Sequence, residues 1–175
     1  MTSAPRDLIA DAIAMLRTLD ARIVVAATAH NLREFEDDRV LVEGLLPSHA
    51  IMPRVDLAVI TGGQGSVQTA LASGVPFIGV PLQPEQDANV VFAERQGAAR
   101  RLSRIAARTP ALTQTARAIV ADDRYRRAAR RIQALFAVQD GPGAAAAAII
   151  ELASEGSNNL ASASRSAATC EEESF

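Results

Sequence analysis

The chain has little of what metal, disulfide or membrane proteins are built from. Among its 175 residues there is one cysteine, there are two histidines, and there is no tryptophan. Cys170 stands alone in a polar tail, so neither a disulfide framework nor a thiolate metal site can form within the chain. His30 and His49 lack spaced partner ligands and read as loop or surface residues, with His49 the nearer to the segment of interest. No apolar run reaches the roughly 18 residues of a membrane span, and no charged-then-apolar signal opens the sequence; a cytoplasmic protein is expected. The formal net charge of −2 gives no reason to expect a nucleic-acid partner. Gly-Lys-Ser/Thr is absent, which excludes a Walker loop; no Gly-x-Ser-x-Gly elbow surrounds Ser66, and Gln68 stands where a dinucleotide fingerprint needs its last glycine.

What is present is an ordinary globular composition, 49% apolar and 22% charged, in a length suited to one domain. Ile9, Ala12, Ile13, Leu16 and Leu19 share one helical face within Asp7 to Leu19. Arg22 to Ala27, Val40 to Glu43 and Asp56 to Ile60 read as strands, and Gly65 to Ser73 and Glu85 to Gln96 as helices between strands. Strands alternating with helices imply right-handed crossovers, a parallel sheet, and ligands at the carboxyl ends of its strands. After Leu102 the pattern is helical to about Ala153. There Tyr125, Ala129, Ile132, Leu135 and Phe136 form an apolar stripe amid arginines read as a solvated face. From Gly156 onward the composition reads as a disordered tail, so the domain is placed at 1–155.

The informative stretch is Leu57 to Ser66, a short apolar run that enters Thr61-Gly62-Gly63-Gln64-Gly65-Ser66 and then a helix. Glycines there permit positive φ and close approach, and the N–H groups of a helix start attract an anion, most naturally phosphate. The Gly74-Val75-Pro76 to Pro81 segment repeats the grammar: a glycine ends a helix, a buried strand follows, and a proline closes it. Pro84 then opens a helix that carries Glu85, Gln86 and Asn89 near its start, with Glu85 and Asn89 one turn apart on one face. A carboxylate and amides beside a phosphate cradle suit a polyhydroxyl ligand.

This composite resembles the donor-binding, C-terminal half of the two-Rossmann-domain (GT-B) glycosyltransferases, in the UDP-glycosyltransferase and macrolide-glycosyltransferase superfamily. Members read His-Gly-Gly-x-Gly-Ser/Thr, then Gly-Val-Pro, then Pro-x-x-x-Asp-Gln-x-x-Asn; here the matches are Thr61 to Ser66, Gly74 to Pro76 and Pro81 to Asn89. Glu43 to Met52 is similar to the family segment before the motif strand, with Ser48 where glutamine is usual. The resemblance runs loosely from Thr2 to about Ala153 and is strong only in the middle third. It implies a Rossmann-like parallel sheet with helices on both faces and a nucleotide-sugar donor, UDP- or dTDP-linked. Thr61, Gly62, Gly63, Gly65 and Ser66 would hold the diphosphate, and Glu85, Gln86 and Asn89 the sugar. No metal or other cofactor is expected.

Three further positions depart from the family pattern: Thr61 replaces the donor-contacting histidine, Thr69 replaces an acidic ribose ligand, and Glu85 lengthens the aspartate of Asp-Gln. The resemblance further implies an N-terminal acceptor-binding domain or partner chain, which would supply the catalytic base; none is assigned here. Met1-Thr2-Ser3 looks like the tail of a first donor loop whose strand is missing. A non-catalytic nucleotide-sugar-binding module that needs a partner domain stands as the alternative.

Overall fold

In the computed structural model the described residues are 4–27, 29–138, 140, 141 and 143–154. Met1-Thr2-Ser3 and the segment from Gly156, including Cys170, lie outside them. The chain divides into two compact units, Met1–Phe136 and Ala137–Phe175. In the second, residues 143–154 are helical. The first carries everything discussed below. Among the described residues no helix is long and apolar enough to cross a membrane.

The first unit opens with α1 (Arg6–Leu16) and continues through β1 (Ile23–Ala26), β2 (Val40–Glu43), a short α2 (Ser48–Ile51) and β3 (Ala58–Ile60). Then come α3 (Gln64–Ala72), β4 (Phe77–Gly79), α4 (Pro84–Arg95), β5 (Ala99–Arg101), α5 (Pro110–Ala121) and α6 (Asp123–Ala137). All strand pairs are parallel: β1 with β2, registering Ile23 on Val40, and β3-β4-β5 in that order, registering Ala58 on Phe77 and Phe77 on Ala99. Alternation along β4 shows how both faces are covered. Phe77 enters a cluster with Val67, Leu71, Val90 and Ala129 from α3, α4 and α6, whereas Ile78 enters another with Leu8, Leu112 and Ala116 from α1 and α5. A third cluster sets Ile13 of α1 against Val25 and Val40. Helices thus lie on both faces of the β3-β4-β5 sheet, and α1 packs on both sheets.

Several local outcomes differ from the periodicity. β5 was not expected, because Ala99-Arg100-Arg101 has one buried residue followed by two exposed arginines and belongs to an edge strand. His49 is a surface residue, as expected, but it lies in the short helix α2 and not in a loop. The helical run after Leu102 is broken at Asp122 (φ −113°, ψ 101°), whose carboxylate accepts the Arg124 N–H at 3.0 Å and starts α6. On α6 the buried residues are Ala128 and Ala129, with Ile132 packed against them. Leu135 continues the stripe three residues after Ile132 yet is 63% exposed, because the apolar face outruns the core that Ala128, Ala129 and Ile132 join. The two sheets are not joined by hydrogen bonds.

Candidate functional site: the turn after β3 and the start of α4

β3 delivers Thr61 and Gly62 to the carboxyl end of the sheet. Gly62 adopts φ +87°, and a Cβ there would lie 2.5 Å from the Val90 side chain and 2.8 Å from the Gln86 carbonyl. Both the backbone region and the close approach of α4 therefore demand glycine. Gly63 is the N-cap of α3 at φ −60° and ψ 144°, without a side-chain cap. The first backbone bond of the helix runs from the Val67 N–H to the Gly63 carbonyl at 3.0 Å. The N–H groups of Gln64, Gly65 and Ser66 consequently point off the helix end without partners among the described residues.

Gly63 and Gly65 differ from Gly62 in a telling way. A Cβ at either would meet nothing within 4 Å, and neither has positive φ. Ser66 is exposed, and its hydroxyl has no partner among the described residues; nor has that of half-buried Thr61. The result is an uncapped helix start facing open space, bordered by two hydroxyls. Thr69 is engaged otherwise, donating its hydroxyl to the Gly65 carbonyl at 2.7 Å. Beside α3, Thr69, Gln68, Ser73 and His49 line an open cleft of about 560 Å³.

The other half of the site comes from β4. At Gly79 a Cβ would overlap both Val90 methyls, so α4 lies directly against the strand end. Gln83 caps α4 and Pro84 fills its first turn. Gln86 is 6% exposed, and its Oε1 accepts the Leu82 N–H at 2.9 Å, reaching back past the N-cap Gln83 to the residue before it. Glu85 is exposed. Asn89 joins the two halves: its Nδ2 donates to the Gly62 carbonyl at 3.1 Å and to Glu85 Oε1 at 2.7 Å. Asp87 turns away and pairs with Arg101. The structure thus brings Thr61 through Ser66, Glu85 and Asn89 to one corner, with the Gln86 amide partly committed to the backbone. Sequence reasoning missed Gly79 and Val90, whose importance lies in a contact no motif encodes. Among the described residues no group of histidine, cysteine, aspartate or glutamate has metal-binding geometry.

Residues 10–152 match the family model described as erythromycin biosynthesis protein CIII-like, C-terminal domain. The chain belongs to this family. Oleandomycin glycosyltransferase of Streptomyces antibioticus is 39% identical over 114 residues, 65% of this chain and 26% of the relative. The 4'-demethylrebeccamycin synthase of Lentzea aerocolonigenes is 31% identical over 133 residues, 76% and 32% respectively. The matched region therefore spans only about a quarter to a third of these relatives. Among solved structures, glycosyltransferase VinC in complex with dTDP superposes at a TM-score of 0.66 with 27% identity, over 74% of this chain and 33% of that one. The kitacinnamycin glycosyltransferase reaches 0.76 at 23% identity, covering 86% and 40%, and supports the fold. The fold is the Rossmann-like C-terminal half of GT-B glycosyltransferases.

Proposed function

We propose that this chain is the donor-binding half of a glycosyltransferase that transfers a hexose from a UDP- or dTDP-sugar to a small-molecule acceptor. The observation that carries the reading is the open space over Gly63 and Gly65. The fold requires glycine at Gly62 but not at these two positions, where the absence of side chains leaves the helix start open to a ligand. A diphosphate meets three unpartnered N–H groups, the helix dipole, and the hydroxyls of Ser66 and Thr61. The sugar then lies toward Glu85 and Asn89, with Gln86 behind them. VinC, solved with dTDP, supports a nucleoside diphosphate as ligand.

In such a site the chemistry of this half is electrostatic. Oriented N–H groups stabilise negative charge as it develops on the leaving diphosphate, and no metal is needed for that. Activation of the acceptor hydroxyl falls to an acceptor-binding half, in the same polypeptide or a partner chain. A second reading, a nucleotide-sugar-binding module without transfer, is favoured by Thr61 and Thr69, which stand where the family pattern has a histidine and an acid.

Calorimetric titration of the 175-residue chain with dTDP and UDP is expected to show weak binding, and donor turnover with phenolic and macrolide acceptors to show none. Rapid transfer by this chain alone would overturn the division of labour. Absence of any nucleotide binding would overturn the site itself.

A further inference from the structure

The corner where the two halves of the site meet is held by one side chain. Asn89 Nδ2 contacts the Gly62 carbonyl at 3.1 Å and Glu85 Oε1 at 2.7 Å. A carbonyl and an ionised carboxylate only accept, so the amide orientation is settled by its partners: nitrogen, with its two protons, faces both. Both protons are spent within the protein. The backbone beneath is equally constrained, because a Cβ at the same Gly62 would collide with the Gln86 carbonyl and Val90, the residues that directly follow Glu85 and Asn89 in α4.

Building on the donor-site reading above, we propose that Asn89 is a positioning residue and not a sugar ligand. It braces the Glu85 carboxylate against the phosphate-binding turn, so that the sugar is read by Glu85 in a geometry set by the diphosphate site. The physical reason is entropic. Glu85 is exposed, and a free glutamate would lose its rotamer freedom on binding a hydroxyl. A charge-assisted bond from Asn89, one helical turn away, settles that cost in the unbound protein. The second carboxylate oxygen, Oε2, has no partner among the described residues and stays available. With the Asn89 amide protons consumed, the Glu85-Asn89 pair presents acceptors only, and the ligand groups that meet it are hydrogen-bond donors such as sugar hydroxyls.

The test uses four versions of the 175-residue chain: the parent, Asn89→Ala, Glu85→Ala and the double variant. Each is titrated with dTDP and with dTDP-glucose, and thermal melts confirm that each is folded. Either single substitution is expected to lower the ratio of dTDP-glucose to dTDP affinity by about ten-fold, the scale of one charged hydrogen bond. In the Glu85→Ala background, Asn89→Ala is expected to change the ratio no further, because the residue it positions is gone. A further drop there would show direct contact with the sugar and overturn the proposal. So would an unchanged ratio in Asn89→Ala alone.

If the parent does not distinguish dTDP-glucose from dTDP, the donor-sugar reading fails by itself. The brace is then decided by the side-chain amide resonances of Asn89 in the ligand-free chain. Slow exchange, with a shift on Glu85→Ala, supports the brace; exchange as fast as that of an exposed asparagine overturns it.

Discussion

At the residue scale the motif glycines separate into two kinds that a sequence pattern writes identically. Gly62 has φ +87° and no room for a Cβ, so Gly62→Ala is expected to cost stability through both the backbone region, about 1–2 kcal/mol, and overpacking against Val90, about 1–3 kcal/mol. Gly65 has free space and lies within α3. Gly65→Ala is expected to leave stability unchanged or raised by up to about 1 kcal/mol, the helix propensity difference. Gly65→Val is expected to fold and to lose dTDP binding, whereas Ser66→Ala loses about 1 kcal/mol of that binding. Chemical denaturation and calorimetry on the same samples separate the two kinds. Equal dTDP affinity of folded parent and Gly65→Val would mean that the glycine serves nothing above the helix.

At the element scale, α3 and α4 end alike. After α3 the Gly74 N–H donates to Leu71 at 3.0 Å and the Val75 N–H to Ala70 at 2.9 Å; after α4 the Gly97 N–H donates to Glu94 at 2.9 Å and the Ala98 N–H to Ala93 at 3.0 Å. Gly74 (φ 68°) and Gly97 (φ 76°) are the left-handed residues of two Schellman caps, each feeding the next strand. Gly74 was legible as a helix stop. Packing of the helix start was not, and Gly79 illustrates it: a methyl there collides with Val90. Gly79→Ala is expected to destabilise by about 1–3 kcal/mol. Adding Val90→Ala makes room, so the double variant is expected to be more stable than the sum of the two single losses predicts. Additive losses in denaturant titrations would contradict that contact. β5 escaped notice for a related reason: two exposed arginines carry no strand signal, and Ala99 joins the sheet only because β4 offers it a free edge.

At the scale of the whole molecule, carboxylates held low by their partners make the fold acid-sensitive. Asp7 is lowered chiefly by its hydrogen bond from Arg108, and Asp37 by the Arg39 backbone N–H, with Val40 and Arg17 adding to it. Asp122 is lowered mainly by Arg124. A carboxyl with a lower pKa folded than unfolded contributes its stability in full above the ordinary value of 3.8. That contribution disappears as pH falls through the lowered folded value. The melting temperature is therefore expected to decline below about pH 4, with a shallower decline in Asp37→Asn. All three groups are solvent-facing, so added salt is expected to shrink the effect. Identical acid limbs in parent and Asp37→Asn would rule out this origin.

The alternation of strands and helices, the positions of β2, β3 and β4, and the presence of a glycine turn opening α3 were all written locally. Strand periodicity, helix stops and turn glycines depend on neighbours within a few residues, and such signals survive in a bare sequence. Tertiary structure alone decided what the signals are for. It distinguished Gly62 from Gly65, turned the Gln86 side-chain Oε1 onto the Leu82 N–H, added β5 as an edge, and left the β1-β2 and β3-β4-β5 sheets unjoined. It also joined Asn89 to Gly62 across 27 positions of sequence. Each of these depends on where a distant element comes to rest, a matter of packing that local periodicity does not encode.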